Sequence, residues 1–115
     1  REQLVIPMIE DVGALAEIDE IMAVEGVDGI FFGPADFSIS AGVPLQIWHD
    51  RVVGAVKKTV EAADKHKKFV IYPIGFPQWE QVERVKELGI HAVEFGHDAS
   101  ILKSVWQKSI RSFRS

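Results

Sequence analysis

Residues 29–42 read GIFFGPADFSISAG. The bulky apolar run Gly29 to Phe32 stops at Gly33-Pro34, and a single acid, Asp36, follows. Proline has no backbone N–H to give a ladder, so a central strand ends before it. Asp36 therefore falls in the loop beyond the strand. Loops after parallel strands are where α/β proteins keep their chemistry. The fold turns on whether the rest of the chain supplies parallel partners for this strand.

Three further apolar runs do so: Leu4 to Ile9, Phe69 to Tyr72 and Ala92 to Phe95. None alternates strictly with polar residues, and such runs suit parallel strands covered on both faces. Helical spacing fills the intervals. Val12 to Val24 aligns Leu15, Ile18, Ile21 and Met22, and Leu45 to His66 aligns Ile47, Trp48, Val52, Val56 and Val60. Trp79 to Leu88 aligns Val82, Val85 and Leu88, and Ser100 to Phe113 aligns Ile101, Leu102, Val105, Trp106 and Ile110. The lysines late in the second helix suit its dipole. The order β-α-β-α-β-α-β-α predicts a parallel sheet with helices packed outside it.

Two segments echo each other, EGVDGIFFGPAD and LGIHAVEFGHD. In each, a glycine that ends a helix (Gly26, Gly89) precedes a strand, and a second glycine (Gly33, Gly96) lets the chain turn beyond it. An acid follows both times, Asp36 and Asp98. A repeated βα unit is expected of a doubly wound sheet or a (β/α)8 barrel, and four units make half of such a barrel. No linker divides the chain, so residues 1–115 are expected to form a single α/β domain.

Composition narrows the function classes. The 115 residues carry a net charge of −4, which disfavours nucleic acid or an anionic membrane surface as the main partner. The chain has no cysteine, which removes disulfides, zinc-thiolate sites and cysteine nucleophiles and fits a cytoplasmic protein. No apolar run approaches the roughly 20 residues of a membrane span, and no signal peptide is visible. Arg1 in place of an initiator methionine suggests sequence upstream.

Glu10 and Asp36 fall at the C-terminal ends of consecutive strands, and side-by-side strands lie about 4.8 Å apart. Two carboxylates so placed can share one ion, and hard oxygen ligands favour Mg²⁺ or Mn²⁺ over zinc. The same residues also fit plain capping: Glu10 for the helix starting near Gly13, Asp36 for the turn before Ser38. Residue pattern alone leaves both readings open.

The stretch IPMIEDVGALAEIDEIMAVEGVDGIFFGPADFSISAG resembles the central motif of the HpcH/HpaI family of class II pyruvate aldolases. That motif is an apolar strand ending in I-E-[TS], a helix, then G-V-D-[GA]-[ILV]-F-[IF]-G-P-x-D-[LF]-S. The rest of the chain resembles the family through its element order and the final GHD. The resemblance implies the C-terminal half of a TIM barrel, units five to eight. It implies reversible aldol cleavage of a 4-hydroxy-2-oxo acid to pyruvate and an aldehyde, through an enolate stabilised by a divalent metal. By position, Glu10 and Asp36 become the metal ligands, for Mg²⁺ or Mn²⁺ with Co²⁺ also accommodated. The backbone N–H groups of Gly33 and Ala35 become the receivers of the pyruvate carboxylate. The catalytic histidine and a substrate-gripping arginine are expected in the other half of the barrel, so no catalytic base is assigned here. Phe32 and Phe37 look like fungal members, among them macrophomate synthase. That likeness carries an alternative, oxaloacetate decarboxylation; a catalytically silent half-barrel is a third reading.

The remaining residues read mainly as structure. Asp11 stands where the family commonly has Thr or Ser, which adds negative charge near the metal. His49 and His66 are expected on a helix surface, and His91 on the face opposite the site. His97 is expected as a solvated loop histidine at the active face. The three tryptophans are expected to pack, with Trp48 a candidate for meeting another subunit. Lys65, Lys67 and Lys68 read as a solvated helix end, and Asp98 as a helix cap. Glu94 reads as a polar gatekeeper on an apolar edge strand. The strands at Leu4 to Ile9 and Ala92 to Phe95 would be the open edges, so homo-oligomerisation or association with a missing barrel half is expected.

Overall fold

The computed structural model describes residues 3–75 and 78–114. Its elements run β1 (Met8–Ile9), α1 (Val12–Ala16), α2 (Ile18–Ala23), β2 (Gly29–Phe32), α3 (Pro34–Ser40), α4 (Asp50–Lys65), β3 (Phe69–Ile74), α5 (Glu80–Glu87), β4 (Ala92–Phe95) and α6 (Asp98–Arg114). The four strands form one parallel sheet in the order β1-β2-β3-β4.

This order selects between the two sheet architectures left open by the pattern. A doubly wound sheet reverses its strand order and covers both faces. Here each strand adds beside the previous one, and β3 alternates half-exposed Phe69, Ile71 and Pro73 with buried Val70, Tyr72 and Ile74. Helices therefore cover one face only, as in an arc of a TIM barrel whose other face lines the barrel interior. The core lies between the covered face and the helices. It joins Ile9, Ile30, Phe32, Val70, Tyr72 and Ile74 of the strands to Ile18, Met22, Val52, Val56 and Val85 of the helices. Phe32 stacks on Tyr72 at 6.3 Å and meets Phe37 at 5.2 Å between ring centroids.

Gly26 and Gly89 have φ of 92° and 79°, the left-handed conformation expected of residues just past a helix. Several boundaries differ from those expected. Only Met8–Ile9 joins the ladder in the first run, although Val5 O and Pro7 O still accept from Asp28 N and Phe31 N at 2.9 Å. The first helical pattern breaks at Glu17 into α1 and α2. Lys65 and His66 then hold α2 to α4 through Asp19, at 2.6 and 2.9 Å. The segment Pro34 to Ser40 is helical, with Pro34 in its first turn, where a missing N–H costs nothing. The second long helix starts only at Asp50, because His49 caps it: Nδ1 accepts from Arg51 N at 3.1 Å.

The largest departure is α6. Its apolar stripe was expected to pack, yet none of its described residues is buried, and Leu102, Trp106, Ile110 and Phe113 are 52%, 64%, 52% and 93% exposed. Of the tryptophans, only Trp48 lies in the core layer, between Tyr72 and Arg84. The helix follows β4, which has no neighbour beyond it among the described residues, so no groove between two strands is there to receive it. The radius of gyration is 16.2 Å, against about 13 Å for a compact domain of this length.

Candidate active site

Asp11, not Glu10, caps α1: its Oδ1 accepts from Ala14 N at 2.9 Å. Serine and threonine are equally good caps, so the acid does there what those residues would do. Glu10 is left exposed at the end of β1 with no capping role. Asp36 lies in the first turn of α3, and the helix start has no side-chain capping bond. The two bland readings of these carboxylates are therefore not what the structure adopts.

Strand register brings distant residues into one transverse row. Ile9 pairs with Phe32, so Glu10 lies beside Gly33. Phe31 pairs with Ile71, which sets Gly33 beside Pro73, and Pro73 pairs with Glu94. Side chains alternate along each strand, so Glu10 shares the uncovered face with Met8, and Glu94 shares it with Pro73. The Glu10 side chain leans over Gly33: a Cβ added there would meet Glu10 Cβ at 3.2 Å and Glu10 Oε2 at 3.4 Å. Gly33 has φ of −95°, which any residue adopts, so space rather than backbone freedom calls for glycine.

A cleft of about 260 Å³ opens on this face, lined by Met8, Phe31, Pro73, Glu94, His97 and the Gly33–Asp36 loop. A larger trough of about 450 Å³ lies along α6 alone, lined by no acid and no histidine. Asp36, Glu94 and His97 thus gather in the smaller cleft at the C-terminal ends of the strands, and Glu10 stands beside it against Gly33.

The backbone donors divide. Gly33 N–H, expected to face a substrate carboxylate, donates to Ile9 O at 2.8 Å and belongs to the sheet. Ala35, second in α3, has an N–H with no intrahelical partner, as at every helix start. The histidines also separate. His91 is fixed at the opposite end of the sheet, where Nδ1 accepts from Val70 N at 3.1 Å and Nε2 meets Asp64 at 3.0 Å. His66, at the end of α4, is held by Asp19, and its side chain is only 22% exposed. His97 lines the cleft, with Nδ1 3.8 Å from Glu94 Oε1 and its ring 81% exposed. Glu94 is the residue that sequence reading underused. Its signal was present: an acid inside an apolar strand, on the opposite side from Val93 and Phe95.

Among the described residues no three His, Cys, Asp or Glu side chains gather as a metal-binding cluster. Glu10 and Asp36 are two hard oxygen donors on adjoining segments, a set that suits a hydrated Mg²⁺ or Mn²⁺. No helix among the described residues is long and apolar enough to cross a membrane.

Residues 1–104 match the model of the HpcH/HpaI aldolase/citrate lyase family. Among curated relatives, a 5-keto-4-deoxy-D-glucarate aldolase from Enterobacter sp. is 32% identical over 96% of this chain and 42% of its own length. A 2-keto-3-deoxy-L-rhamnonate aldolase from Escherichia coli is 30% identical over 93% of this chain and 39% of its own length. The chain thus spans about two fifths of the curated relatives it matches. An HpcH/HpaI aldolase structure from Desulfitobacterium hafniense superposes with a TM-score of 0.87 at 27% identity, covering 97% of this chain and 43% of that one. Macrophomate synthase superposes at 0.75 with 24% identity over 96% of this chain and 38% of its own, a likeness of fold. The parallel arc, the loop after β2 and the match over residues 1–104 agree: the chain belongs to the HpcH/HpaI aldolase/citrate lyase family.

Proposed function

We propose that this chain provides the metal-holding half of a class II pyruvate aldolase. Its reaction is reversible cleavage of a 4-hydroxy-2-oxo acid to pyruvate and an aldehyde. One observation carries the reading: in a chain of this family, the Glu10 carboxylate is freed from capping and leans over Gly33, at the head of the helix whose first turn bears Asp36. Glu10 and Asp36 would hold a divalent cation, which supplies positive charge opposite the enolate oxygen. The 2-oxo acid enters the cleft at the Gly33–Asp36 loop, and Ala35 N–H receives its carboxylate. Because Gly33 N–H is bound to Ile9, the reception assigned to both donors falls on Ala35.

In the reaction the C4 hydroxyl gives up its proton and the C3–C4 bond breaks. The electron pair passes to the enolate, the aldehyde leaves, and C3 takes a proton. The Gly33–Asp36 loop orients the acid head group, while Met8, Phe31 and Pro73 exclude water from the carbon chain. The catalytic histidine and the substrate-gripping arginine are assigned to the other barrel half, so the chain assayed alone should turn over poorly. Positioned acid–base catalysis is worth roughly 10²- to 10⁴-fold.

Calorimetric titration with Mg²⁺ and Mn²⁺ tests the reading. Wild type should bind one ion weakly, and the double variant Glu10→Gln with Asp36→Asn should not. Equal titrations would remove the metal site. Pyruvate release from 4-hydroxy-2-oxo acids, coupled to lactate dehydrogenase, reads the activity.

A further inference from the structure

The row Glu10–Gly33–Pro73–Glu94 has a carboxylate at each end and no hydrogen-bonding side chain between them. Glu10, with Asp36, is given to the cation. Glu94 is three strands away, roughly 14 Å along the sheet, too far to share that ion. It lines the same cleft, and its side chain is 31% exposed. Among the described residues no lysine or arginine lines the cleft. His97 is the one basic side chain within ion-pair reach of Glu94 among the described residues. At 3.8 Å it is beyond hydrogen-bond distance, and its ring is mostly in solvent. The Glu94 carboxylate therefore presents unmatched negative charge and free acceptor oxygens to the far end of the cleft.

We propose that Glu94 is a specificity-determining residue that admits 2-oxo acids with a neutral, hydroxyl-bearing tail and rejects those whose tail ends in a carboxylate. The inference rests on the aldolase reading of the same cleft and names the substrate class within it. With the 2-oxo acid head at the Gly33–Asp36 loop, the rest of the molecule runs past Pro73 toward Glu94. Tail hydroxyls donate to the carboxylate there, and hydrogen bonds to a charged acceptor are the strong kind. A tail carboxylate offers no donor and meets like charge in a half-buried site, where water screens it poorly. Rejection by like charge is a recognised route to specificity.

Equilibrium binding of three ligands to the full chain in Mg²⁺ tests the proposal: pyruvate, 2-oxoglutarate and 5-hydroxy-2-oxopentanoate. Wild type should bind the hydroxylated acid about tenfold or more tighter than 2-oxoglutarate. Glu94→Gln keeps the shape and removes the charge. It should bring the ratio to within about threefold and leave pyruvate affinity unchanged. Glu94→Lys should invert the ratio, and Glu94→Ser supplies a smaller neutral substitute should the lysine variant not fold. Normal pyruvate binding with an unmoved ratio in Glu94→Gln would overturn the role of Glu94 and leave the functional reading intact. Failure of wild type to bind pyruvate at all would overturn that reading, and this inference with it.

Discussion

Glu10 Cβ lies 3.2 Å from the position a Cβ at residue 33 would occupy, so the carboxylate at the end of β1 and the glycine at the end of β2 are fitted to each other. The backbone-attached atom cannot swing away as a flexible tip can. Gly33→Ala should therefore displace Glu10 rather than strain its own backbone, whose φ of −95° suits alanine. The expected outcome is a cost of about 1–2 kcal/mol in chemical denaturation, together with clearly weaker Mn²⁺ binding by calorimetry. Unchanged metal affinity in a folded Gly33→Ala protein would separate Gly33 from the metal site.

Asp11 and Glu10 are adjacent in sequence and divide their work. Removing the Asp11 cap should cost about 1 kcal/mol and leave cation binding intact, because its Oδ1 is spent on Ala14 N. Asp11→Ala and Asp11→Ser compared by thermal melting and Mn²⁺ titration check this. Serine should recover most of the stability. A loss of metal affinity in Asp11→Ser would show that the acid contributes charge to the site.

Tyr72 is the only tyrosine, which makes its ionisation directly visible by ultraviolet absorbance. Burial pushes its hydroxyl up to about 12 from an ordinary value of 10.0, with Arg84 opposing weakly. A group whose pKa is raised on folding supports the fold below its unfolded value and withdraws that support as pH rises. Stability should thus fall between pH 10 and about 12. Tyr72→Phe should flatten that alkaline decline. At neutral pH the variant should be neutral or slightly more stable, because the buried hydroxyl has no hydrogen-bond partner among the described residues. Titration of Tyr72 near pH 10 in the folded protein would mean that water reaches the ring.

The parallel sheet was legible because apolar runs and helix-ending glycines report local demands: a strand covered by helices, a left-handed residue past a helix. The second and fourth strands lie where the pattern put them. What pattern could not settle was competition between neighbours. Glu10 and Asp11 both suit a cap, and only the backbone turn decides which side chain reaches Ala14. Helix α3 was hidden because Pro34 reads as a breaker when taken from the strand side, yet it is a starter from the helix side. Glu94 was read for its edge position, since the row that joins it to Glu10 arises from the register of three strand pairs. Helix α6 was assigned a packed face from periodicity alone, which says that a helix has an apolar stripe and not that this chain covers it.

The last prediction concerns that uncovered surface. β1 and β4 are the edges of the sheet, and each presents unpaired backbone groups to which another chain can add. Met8 and Val93 on these strands are 53% and 42% exposed, and the α6 stripe ends at Phe113, 93% exposed. A monomer leaving this much apolar surface in water would be a poor solution, and closing the sheet into a barrel pairs both edges at once. The chain should therefore self-associate, or join a complementary half-barrel when one is supplied. Light scattering after size-exclusion chromatography, over a dilution series, reads the outcome. Trp106→Glu with Phe113→Glu on α6 should weaken association if the helix is part of the contact, and leave it unchanged if only the strand edges meet. A sharp 12.9 kDa monomer that unfolds cooperatively at low concentration would refute the prediction.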